Sequence, residues 1–225
     1  MNMYRRHWQD IGGVLAMAIT GSLALIGKRL SRPHLFSTLN LVAMLVHQFE
    51  EYGFPGFFPG QFNGALFKST KPDRYPMNSH TAMVVNVGFF DGLYLLPVLF
   101  PRKVWLGLAP VLLGFAQALG HWLLFPRLLR ERWMPGGLSA LFLHVPFGIA
   151  YLRALQEEQP PTRSDWIKAI LLLPLFMVVG VIVPQRLLRD EDSPYRFTEQ
   201  QVGSYGRHRS DVRDGGDENE RGKSV

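Results

Sequence analysis

The sequence predicts an all-α integral membrane protein, a bundle of about six transmembrane helices with a polar C-terminal tail. Three observations lead there. Apolar runs of ~20 residues, the length that crosses a bilayer, recur through residues 1–184. Basic residues punctuate those runs, as they do at membrane flanks. The charge balance then changes near Pro184: residues 1–184 hold 16 basic and 9 acidic residues, whereas the 41 residues from Gln185 to Val225 hold 8 and 9. The net charge of +6 thus averages a basic membrane body, residues 1–184, and a nearly neutral tail, residues 185–225, expected to be disordered. Because the basic residues form no stripe on a soluble face, nucleic acid is excluded as a partner and the lipid bilayer is expected instead. With no cysteine in the chain, disulfides, thiolate metal sites and cysteine nucleophiles are excluded too.

In chain order, Arg5, Arg6 and Trp8 precede an apolar run from Ile11 to Gly27 that Lys28 and Arg29 close like a membrane flank. It reads as a retained first helix rather than a signal peptide, since no small-residue cleavage site follows the apolar core. Gly12, Ala16 and Thr20 recur every four residues and suit close helix packing. The second span covers Pro33 to Tyr52. A loop over residues 53–76 follows, with Phe54, Phe57, Phe58, Phe62 and Phe67, and reads as an aromatic interfacial loop or a re-entrant lid over a site. The third span, Met77 to Phe100, contains His80, Asn86 and Asp91. Pro101-Arg102-Lys103 is so short a turn that the fourth span, Val104 to Phe125, lies antiparallel beside the third. Gln117 and His121 fall a turn apart near its end. The fifth span begins at Pro135-Gly136-Gly137, contains His144 and ends near Leu155, and the sixth, Trp166 to Pro184, carries Lys168 near its start and is otherwise apolar.

An even number of spans puts both termini on one side. That side carries ten membrane-proximal basic residues against eight on the other, so the positive-inside rule favours cytoplasmic termini in a plasma (cytoplasmic) membrane. Alternating directions also bring His47, His80, His121 and His144 towards the face that bears the termini, roughly 5–13 Å inside the helix ends. Glu50 and Glu51 lie at that level or nearer the surface, while Asp91 sits in the far half of its span.

The second span ends in His47-Gln48-Phe49-Glu50-Glu51, where a histidine is followed by carboxylates at i+3 and i+4 on one side of a helix. Each ionisable group there costs a few kcal/mol unless it is paired. Imidazole and carboxylate at i, i+4 form a two-point clamp for a divalent metal of the zinc or iron class. His47 and Glu51 take the clamp positions, His121 and His144 complete the ligand set, and an open position remains for water. Glu50 then acts as general base, or pairs with His47 as a metal-free acid/base couple, with Gln117, Asn86 and His80 supporting. The expected activity is hydrolysis or acid/base chemistry on a lipid-like or amphipathic substrate. Two alternatives stand beside it: proton- or ion-coupled transport through intramembrane His and Glu, and a non-catalytic scaffold in which these residues only stabilise packing.

The His47–Glu51 pentapeptide, followed by Tyr52 and Pro55-Gly56, then Asn86, Gly120-His121 and Pro135-Gly136, resembles the family of multi-pass membrane proteins named for its H-x-x-E-E motif. The resemblance covers about residues 35–155, and the family's histidine and two glutamates fall on His47, Glu50 and Glu51. It implies the fold and the site, with an enzymatic role suspected from the polar residues, and leaves the reaction open.

Overall fold

The structure, a computed structural model, describes residues 2–207. Six long helices account for most of it, and no strand occurs among the described residues. Helix α1 (Asn2–Ile26) ends in a 3-10 turn, Gly27–Arg29, and is followed by α2 (Arg32–Tyr52). Helices α3 (Ser79–Leu99), α4 (Val104–Leu129), α5 (Gly137–Glu158) and α6 (Arg163–Leu188) complete the bundle. Helix α1 with its 3-10 turn and α3 to α6 make five that are long and apolar enough to cross a membrane, which points to a multi-pass membrane protein.

The second to sixth spans read from the sequence coincide with these helices to within about four residues, whereas α1 begins nine residues before the apolar run at Ile11; local chemistry explains several of the starts. Pro33 occupies the first turn of α2, where its missing N–H costs nothing. Asn78 caps α3, its side chain accepting from the backbone of His80 and Thr81. Thr162 and Asp165 form a reciprocal capping box at the start of α6.

Helix α2 is the one that falls short of membrane-spanning hydropathy, and it is also the most enclosed. It packs against α1, α3 and α5, and 14 of its 21 residues are buried. A helix shielded by neighbours on most sides meets protein rather than lipid, so it tolerates polar residues that a lipid-facing helix would not. The main core joins Leu41, Met44 and Leu45 of α2 to Ala16 of α1, Leu93 and Tyr94 of α3, Leu113 of α4 and Phe176 of α6.

The i→i−4 ladder widens to π geometry in α3 (Val84–Phe90), α4 (Gly120–Leu124), α5 (Ala140–His144) and α6 (Met177–Ile182). Such widenings turn the residues beyond them around the helix axis and recur at functional sites. Asn86, His121 and His144 all lie in one.

The expectation of a disordered tail is corrected for its first part. Residues 185–207 are ordered against the terminus-bearing end of the bundle, while 208–225 lie outside the described residues. Phe197 and Val202 join Trp8, Tyr52 and Met77 in a second core cluster. Gln200 and Gln201 donate to the carbonyls of Gly53 and Tyr52, each at 2.8 Å. A Cβ on Gly60 would lie 1.9 Å from the Val202 carbonyl oxygen, so only glycine lets the tail lie this close to the loop helix Phe58–Gly60. Tyr205 hydrogen-bonds Glu131, and burial, then that carboxylate, pushes its phenol up to about 12. The bond therefore holds across the neutral range. Two apolar anchors five residues apart make no helical or strand period, which is why this docking leaves no pattern in the sequence.

Candidate metal centre

The site forms where the last turn of α2 meets the π segment of α4 and the first turn of α5. His47 and Glu51 project from the same face of α2, and His121 reaches them from α4. Glu51 Oε1 lies 3.5 Å from His47 Nε2 and 3.3 Å from His121 Nε2. The three donor atoms all fall within 4.8 Å of one another, and all three residues are buried. Four donors at about 2.0–2.1 Å around a tetrahedral zinc are separated by about 3.3–3.4 Å, so both contacts have the length of a coordination edge. They exceed the ~2.7–2.9 Å of a charge-assisted hydrogen bond. Two histidines and one glutamate suit zinc, and equally iron of the non-haem class.

Around this triad a hydrogen-bonded chain orients His47. The Ser139 hydroxyl is 2.6 Å from Glu50 Oε2 and donates to it. Ser139 Oγ then accepts from His47 Nδ1, 3.1 Å away. That assigns the ring proton to Nδ1 and turns the Nε2 lone pair towards Glu51 and His121, as outer partners do for metal-bound histidines. The amide of Gln117 sits 3.2 Å from the same Nε2.

Glu50 has a different environment from Glu51. Besides the Ser139 hydroxyl it accepts from the backbone N–H of Leu138 at 3.1 Å and of Ser139 at 2.8 Å. It therefore satisfies two of the free amides at the start of α5 and interacts with the positive end of that helix. Gly136 makes this junction possible. Its φ is +92°, and a Cβ there would lie 2.7 Å from His47 Cε1, 2.8 Å from His121 Cε1 and 3.0 Å from Glu51 Cγ. The backbone of the α4–α5 turn lies directly on the triad.

Of the residues expected from sequence, the structure brings together His47, Glu51 and His121, with Gln117 against His47 and Glu50 behind Ser139. His144 stays outside the triad. Its ring packs edge-on to His47 at 5.4 Å and Tyr94 at 5.6 Å, with Nδ1 turned towards Gly114. Fully enclosed, it has no hydrogen-bond partner on either ring nitrogen among the described residues. His80 packs on Tyr195 at 5.2 Å, away from the site. Asn86 Nδ2 donates to its own helix at Ala82, 2.9 Å away. Asp91 accepts from Gln48 at 2.9 Å, tying α3 to α2 on a neighbouring face. The aromatic loop does reach the site, because Phe58 packs over His121 at 6.2 Å between ring centroids.

Ser139 and Gly136 were not singled out from sequence as site residues. The available signal was a Gly-Gly pair with a serine two residues on, opening a span that faces two carboxylates.

The family described as "protein of unknown function with HXXEE motif" matches residues 38–151, half of the chain. The chain belongs to the HXXEE family. In this HXXEE protein the matched region runs from within α2 into α5, so it contains the motif, the triad, Gln117, Gly136 and Ser139, and omits α1, α6 and the tail. No curated protein matches the chain, and no solved structure does.

Proposed function

We propose that this protein is a membrane-embedded metal-dependent enzyme that carries out hydrolysis or acid/base chemistry on a lipid-like or amphipathic substrate. The observation that carries the reading is the buried His47–Glu51–His121 triad, whose carboxylate–imidazole distances of 3.5 and 3.3 Å are close to the edges of a tetrahedral site and would leave a fourth position for water. A divalent ion held there would supply a Lewis acid able to activate water near neutral pH. The chain's own residues divide the remaining work. His47, His121 and Glu51 hold the ion. Ser139 fixes the tautomer of His47, and the Gln117 amide lies against its Nε2. Glu50, read from sequence as the base, is reassigned to positioning, because Leu138 and Ser139 occupy both of its oxygens. Oε1 of Glu51 meets both imidazoles, which leaves Oε2 to take a proton.

A substrate from the bilayer is favoured by what surrounds the triad. Trp122, Leu123 and Leu124, directly after His121, are 42, 42 and 57% exposed, an apolar surface beside the triad of the kind a lipid-facing helix carries.

The test is elemental analysis of detergent-purified protein beside His47→Ala, His121→Ala and Glu51→Gln. About one divalent ion per chain is expected in the parent and none in the variants at unchanged elution volume, whereas His144→Ala keeps the ion. A parent protein without stoichiometric metal, or triad variants that retain it, would sink the reading. Proton or cation flux in proteoliposomes that is lost in Glu51→Gln would replace it with transport, and loss of thermal stability alone, with no metal bound, would leave a scaffold.

A further inference from the structure

A cavity of about 420 Å³ opens at the terminus-bearing end, between the first turns of α1, the start of α3 and the docked tail. We propose that it binds the phosphate of an anionic phospholipid headgroup. This site is separate from the metal centre and does not rest on the proposed activity.

Charge is the first argument. Arg5, Arg6 and Arg196 line the cavity, and no aspartate or glutamate does. Arg6 makes no ion pair among the described residues. Among the described residues Arg196 has only a 3.7 Å contact from Nε to Asp73, which leaves its terminal nitrogens for a second acceptor. The Arg5 guanidinium is stacked 3.9 Å over the Tyr195 ring and so held at the rim. Arginines in a partly enclosed space favour phosphate oxygens, which accept forked, charge-assisted hydrogen bonds.

Position is the second. Arg5 to Gln9 precede, with Asp10 between, the apolar run that begins at Ile11, so in a bilayer these residues lie at headgroup level. A volume of 420 Å³ suits a headgroup rather than a whole lipid. Buried Trp8 and Phe197 form an apolar floor, continuous with the cluster around Tyr52.

The firmness of the wall is the third. Gln9 is 5% exposed, and its Nε2 donates to the Arg6 carbonyl at 3.0 Å, which holds the first turns of α1 in place beside the cavity. Because Arg196 and Gln201 belong to the tail and Arg6 and Gln9 to α1, a bound headgroup would tie the tail to the bundle.

The experiment uses the full-length chain in a neutral detergent, with phosphatidylglycerol, phosphatidic acid, phosphatidylcholine or inorganic phosphate added in turn. Retention is read by native mass spectrometry and stability by thermal unfolding. Phosphatidylglycerol and phosphatidic acid should each be retained at one per chain and raise Tm, with phosphatidylcholine without effect. Arg6→Gln and Arg196→Gln should each weaken retention about tenfold, the loss of one charge-assisted bond. Arg6→Lys should recover part of it, which separates lost charge from lost folding. Equal retention of phosphatidylcholine, or undiminished phosphatidylglycerol binding in the double Arg→Gln variant, would overturn the proposal. The same Tm shift from inorganic phosphate alone would overturn the lipid as its source.

Discussion

Replacing Gly136 by alanine adds one methyl group and removes no ligand, so it separates the geometry of the triad from its composition. The new Cβ would stand 2.7 Å from His47 Cε1 and 2.8 Å from His121 Cε1, whereas carbon atoms settle at about 3.5–4.0 Å. Both imidazoles would need to retreat by about 0.8 Å or the turn would lift by as much. Metal–ligand distances tolerate about 0.2 Å. The φ of +92° adds its own penalty, about 1–2 kcal/mol for a residue with a Cβ, and overpacking costs about 1–3 kcal/mol. Gly136→Ala is therefore expected to lose about 2–5 kcal/mol of stability and to bind metal at least about 100-fold more weakly, although every ligand remains. The assay is chelator competition followed by metal content, with thermal unfolding in the same detergent. Gly137→Ala is the matched control. Its added Cβ meets nothing nearer than Trp122 Nε1 at 3.4 Å, and it should behave like the parent in both measurements. Wild-type metal affinity in Gly136→Ala would refute the placement of this turn against the triad.

Two further substitutions probe the chain of hydrogen bonds behind His47. Ser139→Ala releases the ring proton of His47 and should weaken metal binding about 10–100-fold, with Ser139→Thr recovering most of it; equal affinity in the alanine variant would remove Ser139 from the site. Glu50→Gln keeps an acceptor for the amides of α5 and should retain stoichiometric metal, whereas Glu50→Ala strands two N–H groups and should destabilise by about 2–5 kcal/mol. Complete metal loss in Glu50→Gln, as in Glu51→Gln, would instead make Glu50 a ligand.

Much of this arrangement was legible before any coordinates, and the limits have physical causes. The i, i+4 spacing of His47 and Glu51 fixes their shared face in any helix. Alternating span direction then brings His121 to the same depth. Depth, however, says nothing about rotation about the helix axis, and that separates His121 from His144. Each lies in a π segment, His121 near the start of one and His144 at the end of another, where the added residue shifts the register in a way no periodicity analysis anticipates. His121 turns into the triad and His144 turns past it towards Gly114. Glu50 and Glu51 show the same limit at closer range. Adjacent residues on a helix point about 100° apart, so one carboxylate meets the imidazoles and the other meets α5. Which neighbour lies in each direction is a property of packing, and Ser139 enters the site only through that packing. The tail escapes for another reason: Phe197 and Val202 act as isolated anchors, and Gly60 receives them without announcing why it is glycine.

Charge balance links the centre to the fold. Glu50 and Glu51 are 8 and 6% exposed, and no lysine or arginine among the described residues pairs with either. Two anions held in a bundle core need equal compensation or they cost several kcal/mol each. The N-terminus of α5 offers Glu50 about half a charge and two hydrogen bonds. Glu51 faces only imidazoles. Its Oε1 stands 3.5 Å from His47 Nε2 and 3.3 Å from His121 Nε2, and under the proposed function a divalent cation held by the three would offset the two carboxylates. The same balance accounts for the central place of α2. A helix too polar to face lipid on its own is stable once its neighbours enclose it, and under the proposed function a bound ion would add to the stability of the bundle as well as supply its chemistry.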